Sequence, residues 1–116
     1  MIAIKHIHYT DVKLEIPKED GIKDVKLRWV ISKKDGAENF AMRVFEIQPG
    51  GFTPLHKHDW EHEVFILHGS GKAKNKNIEE SFKQGDVFFI KPNEWHQFVN
   101  DTDDILKFIC LIPYKK

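Results

Sequence analysis

Three histidines, His56, His58 and His62, stand close together in the middle of the chain, and a fourth, His96, lies further along. Neutral imidazole is the commonest protein ligand for transition metals. In an extended segment, spacings of two and four residues put the three clustered side chains on one face of the strand. We therefore interpret them as candidate ligands of a single metal ion, to which His96 adds a fourth imidazole.

The elements that must position these histidines are predicted to be short β-strands. Apolar and β-branched residues recur in short runs, and turn-forming Gly, Pro, Asn and Asp separate them. The predicted strands cover residues 2–9, 25–31, 40–48, 63–67, 72–75, 78–83, 87–90, 95–99 and 105–112. Pro49, Gly50 and Gly51 are predicted to end the strand 40–48. Because no long segment has helical periodicity, the sequence predicts an all-β sandwich or barrel.

The composition narrows the class of protein. With 116 residues, the chain is long enough for one domain, which we expect to span 1–116. Eighteen basic residues balance 18 acidic ones, so no overall field attracts nucleic acid or an anionic membrane. The single cysteine, Cys110, excludes an internal disulfide and suits a reducing compartment. Since neither a membrane-spanning run nor a signal-peptide pattern is present, we expect a cytoplasmic protein.

Two segments of the sequence resemble the paired motifs of the cupin family. Residues 50–69 resemble the first motif, G-x5-H-x-H-x3,4-E-x6-G, and residues 85–100 resemble the second, G-x5-P-x-G-x2-H-x3-N. The second segment has one extra residue between Gly85 and Pro92, and Glu94 replaces the motif's middle glycine. The resemblance implies a single-domain RmlC-like cupin, whose fold is a β-barrel of the jelly-roll or double-stranded β-helix type.

The first motif leaves two candidates for the position of its carboxylate ligand, His62 and Glu63. Six residues separate His62 from Gly69, as the motif requires, whereas only five separate Glu63 from it. Strand alternation also puts His62 on the face of the other histidines and Glu63 on the opposite face. We therefore predict the four-histidine set of His56, His58, His62 and His96, with a set of three histidines and Glu63 as the alternative.

The resemblance implies one divalent transition metal per chain. Manganese is favoured for a four-histidine cupin, and Fe, Ni, Co, Cu and Zn suit the same ligand types. Four neutral imidazoles leave the full dipositive charge on the ion, and an octahedral ion keeps two positions open for a small oxygen-rich or anionic ligand. We expect an oxygenase-type enzyme, for example a dioxygenase. The alternatives are a metal-dependent isomerase or decarboxylase, a non-catalytic binding or sensing module, and a domain in which the metal is purely structural.

Four further residues are predicted to line the pocket. Trp60 lies between ligands and either walls the cavity or packs in the barrel. Strand alternation turns Phe108 and Cys110 inward, and the thiol is not a candidate nucleophile because no separate base accompanies it. Arg43 could hold a substrate carboxylate if it faces inward, but the cost of burying an arginine favours the surface.

The remaining histidines and the N-terminus have simpler predicted roles. His6 and His8 are expected on the surface of an edge strand over 2–9, and His68 at the rim of the barrel rather than among the ligands. The amphipathic start of the chain is expected to take part in a homodimer, as in other small cupins. A small molecule is the other expected partner.

Overall fold

The computed structural model describes residues 4–114, and the chain over this range is nearly all β, in a curled, half-barrel sheet. The eight strands are β1 Lys23–Ile31, β2 Phe40–Phe52, β3 His62–His68, β4 Ser70–Lys74, β5 Glu79–Lys83, β6 Val87–Ile90, β7 Gln97–Val99 and β8 Leu106–Pro113. Two three-residue 3-10 turns, Tyr9–Asp11 and Lys33–Asp35, are the only helical elements of 4–114. Neither is long enough to cross a membrane.

The strands join in the order β5-β4-β7-β2-β8-β3-β6, and β1 pairs with β2 outside this path. Every ladder is antiparallel. The longest strand, β2, connects the two parts of the sheet. Its first part lies between β1 and β8, whereas Phe52, at its end, pairs with Val99 of β7. The all-β, jelly-roll prediction is confirmed.

A bulge in β2 bends the strand just before the histidine segment. Val25 lies opposite Ile47, but Lys23 lies opposite Phe52, so β2 contains extra residues between these pairs. Gly50 has φ +81°, and a Cβ on Gly51 would lie 2.6 Å from the Lys23 carbonyl oxygen. The prediction that Pro49–Gly51 ends the strand is wrong. Glycine's conformational freedom lets pairing resume after the bulge.

The inner face of the sheet forms an apolar core beside the histidines. In β8 the side chains of Leu106, Phe108 and Cys110 are buried, as alternation predicts, whereas the ammonium of Lys107 reaches the Tyr9 hydroxyl at 3.3 Å. The core comprises Val25, Ile47, Val64, Ile66, Phe82, Ile90, Phe98, Leu106, Phe108 and Cys110. Burial of these side chains, the main source of stability in such a fold, fixes the strands that carry the site.

The predicted strand over residues 2–9 does not form in the part that the structure describes. Residues 4–8 belong to no ladder, and the Tyr9–Asp11 turn follows them. The side chain of His8, whose backbone is extended, accepts a hydrogen bond from the backbone N–H of Thr10 and caps the turn that follows. Ile2 and Ala3, which the dimer prediction also involves, lie outside the described residues.

Candidate metal centre

The two motif segments meet through the backbones of His56 and His96. The His56 N–H donates to the His96 carbonyl at 3.1 Å, and the His96 N–H donates back to the His56 carbonyl at 2.9 Å. The two imidazole rings lie 4.6 Å apart between centroids. A mutual backbone pair therefore brings together residues that are 40 positions apart in the sequence.

The other two histidines complete a cluster around this pair. The ring of His58 lies 4.2 Å from that of His56, and it stacks on Trp60 at 4.3 Å. The ring of His62 lies 4.9 Å from His96 and 5.1 Å from His58. One ligand nitrogen from each of His56, His58 and His96 lies within 4.8 Å of the others, whereas His62 lies outside this closer set of three.

The cluster does not rest on one continuous strand, as the sequence interpretation assumed. His56 forms only an isolated bridge, residues 57–61 are irregular, and β3 begins at His62. Even so, the predicted difference between His62 and Glu63 is present. The side chain of His62 is 6% exposed and faces the cluster, whereas Glu63 is exposed on the outer face of β3.

Hydrogen bonds to Nδ1 determine which nitrogen each ring offers to a metal. The Nδ1 of His56 lies 2.9 Å from the Glu19 carboxylate, and the Nδ1 of His96 lies 2.9 Å from the Glu94 carbonyl oxygen. Because both partners are acceptors, each Nδ1 carries the proton when the ring is neutral, and Nε2 keeps its lone pair. This is the tautomer that a metal site needs.

For His62 the partner of Nδ1 is a sulfur atom instead of an oxygen. Its Nδ1 lies 3.4 Å from the Cys110 Sγ, to which it donates in the tautomer that leaves Nε2 free to ligate. Its Nε2 is buried and has no hydrogen-bond partner in the structure. Buried polar atoms are rarely left without a partner, so an orphaned nitrogen facing three other imidazoles fits a metal ion.

Burial keeps the four imidazoles neutral. Desolvation is the largest cause that lowers the pKa of His56, His58 and His96. For His62, desolvation, followed by the charges of His96 and Arg43, lowers the pKa to about 3. Since only neutral imidazole binds a metal, all four rings are in the ligating form at pH 7.

A largely apolar cavity of about 220 Å³ opens beside the cluster. A cavity of this size suits a small organic ligand. All four pocket-lining candidates, Trp60, Phe108, Cys110 and Arg43, do line this cavity. The surface position favoured for Arg43 is wrong, because its guanidinium donates to the Cys110 Sγ at 3.1 Å, inside the cavity.

Residues outside the cluster behave as the sequence predicts in most cases. His68 is exposed and pairs with Asp104 at 2.8 Å, and His8 is exposed beside Thr10, so neither joins the four rings. Glu61 and Glu63 border a separate surface depression rather than the cavity.

The sequence interpretation missed Glu19 and the aromatic residues Trp29 and Phe45. Glu19 lies in a charged connection with no motif, 37 residues before the histidine it contacts. Trp29 and Phe45 line the cavity around Arg43 from β1 and β2. Alternation along these strands was the available signal for the two aromatic residues, whereas no local pattern marked Glu19.

Comparisons with known proteins agree with the geometry. The family model described as "Cupin domain" matches residues 43–112. The polyketide cyclase RemF from Streptomyces resistomycificus has a similar solved structure, with a TM-score of 0.91 and 37% identity, over 97% of this chain and 80% of that one.

Three curated relatives have different functions. The 1-methylthio-D-xylulose 5-phosphate methylsulfurylase of Rhodospirillum rubrum is 35% identical over 71 residues. These residues are 61% of this chain and 46% of that enzyme, so the chain spans about half of the enzyme's length. The oxalate-binding protein of Thermotoga maritima is 31% identical over 77% of this chain and 75% of its own length. Gentisate 1,2 dioxygenase 1 of Aquipseudomonas alcaligenes is 34% identical over 49% of this chain and 17% of its own length. The match over more than half of the chain shows that the protein belongs to the cupin family, in its RmlC-like form.

Proposed function

We propose that this protein binds one divalent transition metal through the Nε2 atoms of His56, His58, His62 and His96. The observation that carries this proposal is the set of contacts that leaves Nε2 free on three of the four rings. Hydrogen bonds hold the Nδ1 atoms of His56 and His96, and the buried Nε2 of His62 has no other partner. Manganese is the favoured ion, with Fe, Ni, Co, Cu and Zn as alternatives of the same ligand chemistry.

The bound ion would polarise the oxygen atoms of a small ligand and, if redox-active, react with dioxygen. The protein's own residues perform the remaining tasks. Glu19 and the Glu94 carbonyl hold two imidazoles in orientation, and the stacked Trp60 holds His58. The apolar walls keep bulk water away from the reacting groups and strengthen every electrostatic contact inside the cavity.

An oxygenase-type reaction on a small oxygen-rich or anionic substrate is the activity that we favour. A gentisate dioxygenase among the relatives supports it, as do the two positions that four ligands leave open on an octahedral ion. The main alternative is a module that binds a small ligand without turnover, supported by the oxalate-binding relative, which this chain matches over most of its length. Isomerase or decarboxylase chemistry would use the same polarising centre.

Metal analysis of two matched variants tests the ligand set. His62→Gln removes the fourth imidazole, and Glu63→Gln changes the adjacent residue on the opposite face of β3. We expect about one metal per chain in the wild-type protein and in Glu63→Gln, and a metal affinity at least tenfold lower in His62→Gln. Loss of metal from Glu63→Gln with full occupancy of His62→Gln would identify the carboxylate as the ligand instead.

Turnover separates the enzyme from the binding module. Metal-loaded protein is mixed with gentisate, catechols and small hydroxy acids while dissolved oxygen is measured, and oxalate binding is followed in parallel by calorimetry. Metal-dependent oxygen consumption supports the oxygenase. Tight oxalate binding with no loss of oxygen and no carbon dioxide release supports the binding module.

We also propose that the protein forms a homodimer through the outer face of β6, β3 and β8. Phe65, Val87 and Phe89 are exposed there, and Phe65 lies opposite Val87 and Ile109 in the two ladders. Contiguous exposed apolar residues of this kind are typical of interaction surfaces.

A further inference from the structure

The second arginine of the chain, Arg43, lines the cavity in an unusual environment. Arg43 on β2 lies directly opposite Trp29 on β1 and Cys110 on β8, so the three side chains form a row across the inner face of the sheet. The guanidinium carbon lies 5.3 Å from the Trp29 ring centroid and 4.9 Å from that of Phe45. The two rings flank the cation on the side of the cavity.

This cation has no anionic partner in residues 4–114. None of the ion pairs among these residues includes Arg43, although the other arginine, Arg28, pairs with Glu46 on the neighbouring strand. Among the described residues, the buried Nε of Arg43 finds no hydrogen-bond partner, and its Nη2 donates only to the weak acceptor Cys110 Sγ. Arg43 as a whole is half-buried, but a buried guanidinium N–H without an acceptor costs free energy unless a ligand supplies one.

The position of Arg43 relative to the histidines limits what that ligand is. A chain of two contacts, 3.1 Å from Nη2 to the Cys110 Sγ and 3.4 Å from this sulfur to the His62 Nδ1, connects the guanidinium with the cluster. Arg43 and all four histidines also line the same cavity, so one small molecule in that cavity can contact both the guanidinium and the cluster. Guanidinium presents a planar pair of donors that matches a carboxylate, and an adjacent cavity of about 220 Å³ limits the molecule to a small one.

We propose that Arg43 is the specificity-determining residue for a substrate with two acidic ends: an oxygen chelate that binds at the histidine cluster, and a carboxylate that binds the guanidinium. The inference rests on the proposed metal-binding function, and it adds the substrate class. Trp29 and Phe45 hold the guanidinium plane through cation–π contacts, so its N–H donors are oriented before the ligand binds. The aliphatic middle of the substrate then lies against the apolar walls of the cavity.

Two 2-oxoacids that differ only at the far end test this proposal. 2-Oxoglutarate and 2-oxopentanoate have the same chelating group and the same chain length, but only 2-oxoglutarate has a second carboxylate. Calorimetry on manganese-loaded wild-type protein is expected to give at least tenfold tighter binding of 2-oxoglutarate, the size expected for a charge-assisted hydrogen bond. In Arg43→Met the affinity for 2-oxoglutarate should fall to that for 2-oxopentanoate, which should itself stay unchanged.

Two further variants are the controls. Lys26→Met removes the same unit of charge from an exposed position on β1 and should keep the wild-type preference. Arg43→Lys keeps the charge but loses the planar fork, so the preference should decrease without vanishing. If Arg43→Met does not fold, as judged by circular dichroism, a reduced preference in Arg43→Lys supports the proposal and an unreduced one overturns it.

The outcomes that overturn the proposal differ from those that overturn the metal-binding function. Equal affinities in the wild-type protein, or a preference that survives in Arg43→Met, exclude the carboxylate subsite. An equal loss of both ligands in Arg43→Met shows that Arg43 only positions Cys110 and His62, which also excludes it. By contrast, binding that is unchanged after metal removal overturns the metal-centred function, while an Arg43-dependent preference in the same titrations still supports the subsite.

Discussion

His62 combines a proposed metal-ligand position with an unusually strong effect of burial. Its pKa is lowered to about 3, mainly by desolvation, and its Nδ1 contacts a sulfur rather than an oxygen. A cysteine at this position of the hydrogen-bond network gives weaker support to the ring than a carboxylate would. We infer that burial, more than hydrogen bonding, keeps His62 neutral and available as a ligand.

Metal-free protein should become less stable as the pH falls below about 6.5. Between pH 6.5 and 3 the unfolded chain binds a proton at His62 that the folded chain does not, so the free energy of unfolding decreases as the pH decreases. The expected loss is about 1.4 kcal/mol per pH unit from His62, measured by urea unfolding between pH 6.5 and 4.5 with a chelator present.

The variant His62→Leu provides the comparison. Its stability should decrease less steeply over the same range of pH. The folded and unfolded forms of this variant no longer differ in protonation at position 62. His6→Leu, at an exposed position, should keep the wild-type slope. A slope in His62→Leu equal to that of the wild-type protein would show that other groups determine the acid sensitivity.

Glu19 should affect the metal without touching it. Its carboxylate accepts from the His56 Nδ1 and so orients the ring. We expect Glu19→Ala to lower the metal affinity by about tenfold to a hundredfold, as removal of such outer partners does elsewhere. Asp20→Asn, at the exposed neighbouring residue, should bind metal as the wild-type protein does, in competition titrations with a chromogenic chelator.

At the level of elements, Asn100 connects three parts of the chain. Its side chain is fully buried, donates to the carbonyls of Ile47 and Asp104, and accepts from the backbone N–H and the hydroxyl of Thr102. It therefore holds the bend of β2 against the turn between β7 and β8. This provides a structural reason for the asparagine that ends the second cupin motif.

Asn100→Ala should destabilise the protein by about 2–4 kcal/mol, because the buried Ile47 carbonyl loses its donor and the turn at Thr102 and Asp104 loses the side chain that holds it. Thermal and urea unfolding measure the loss. Asn77→Ala, in the exposed turn between β4 and β5, should change the stability by no more than about 0.5 kcal/mol. Similar effects of the two substitutions would contradict the role assigned to Asn100.

Most strands could be predicted from the sequence, and the exceptions have physical causes. β1, β3, β6 and β8 alternate or are strongly apolar, so their positions were correct within two residues. The bend of β2 was read as an end because Pro49, Gly50 and Gly51 are turn formers in most contexts. At such residues a strand either ends or continues after a bulge. The outcome depends on the partner strand, and the local sequence does not contain that information.

The histidines could be predicted as a group because motif spacing identifies them, but the reason given for their alignment was partly wrong. The spacing of two and four residues suggested one strand, whereas the chain turns irregularly between His58 and His62. Arg43 was placed on the surface because the general cost of burying a cation is high. The flanking rings of Trp29 and Phe45, which reduce that cost, come together only in the fold.

At the scale of the whole molecule, the exposed apolar face should control assembly. Val87 and Phe89 are 70% and 54% exposed on the edge strand β6. We expect the wild-type protein to sediment at twice its chain mass of 13.6 kDa and Phe89→Lys to sediment as a monomer, because a buried unpaired ammonium opposes the contact. Ile78→Lys, at a similarly exposed apolar residue in the β4–β5 turn, should remain dimeric.

The paired backbone hydrogen bonds between His56 and His96 have a consequence for the choice of metal. Because they join the ligand segments without any ion, the site is preorganised, and metal binding orders little additional chain. The proposed site of four imidazoles would offer every first-row ion the same donors, so its intrinsic affinity would follow the Irving–Williams order. We therefore expect the metal that is recovered with the protein to depend on which ions are supplied during its synthesis. Copper or zinc in the growth medium is expected to displace manganese, so manganese would be recovered only when copper and zinc are withheld.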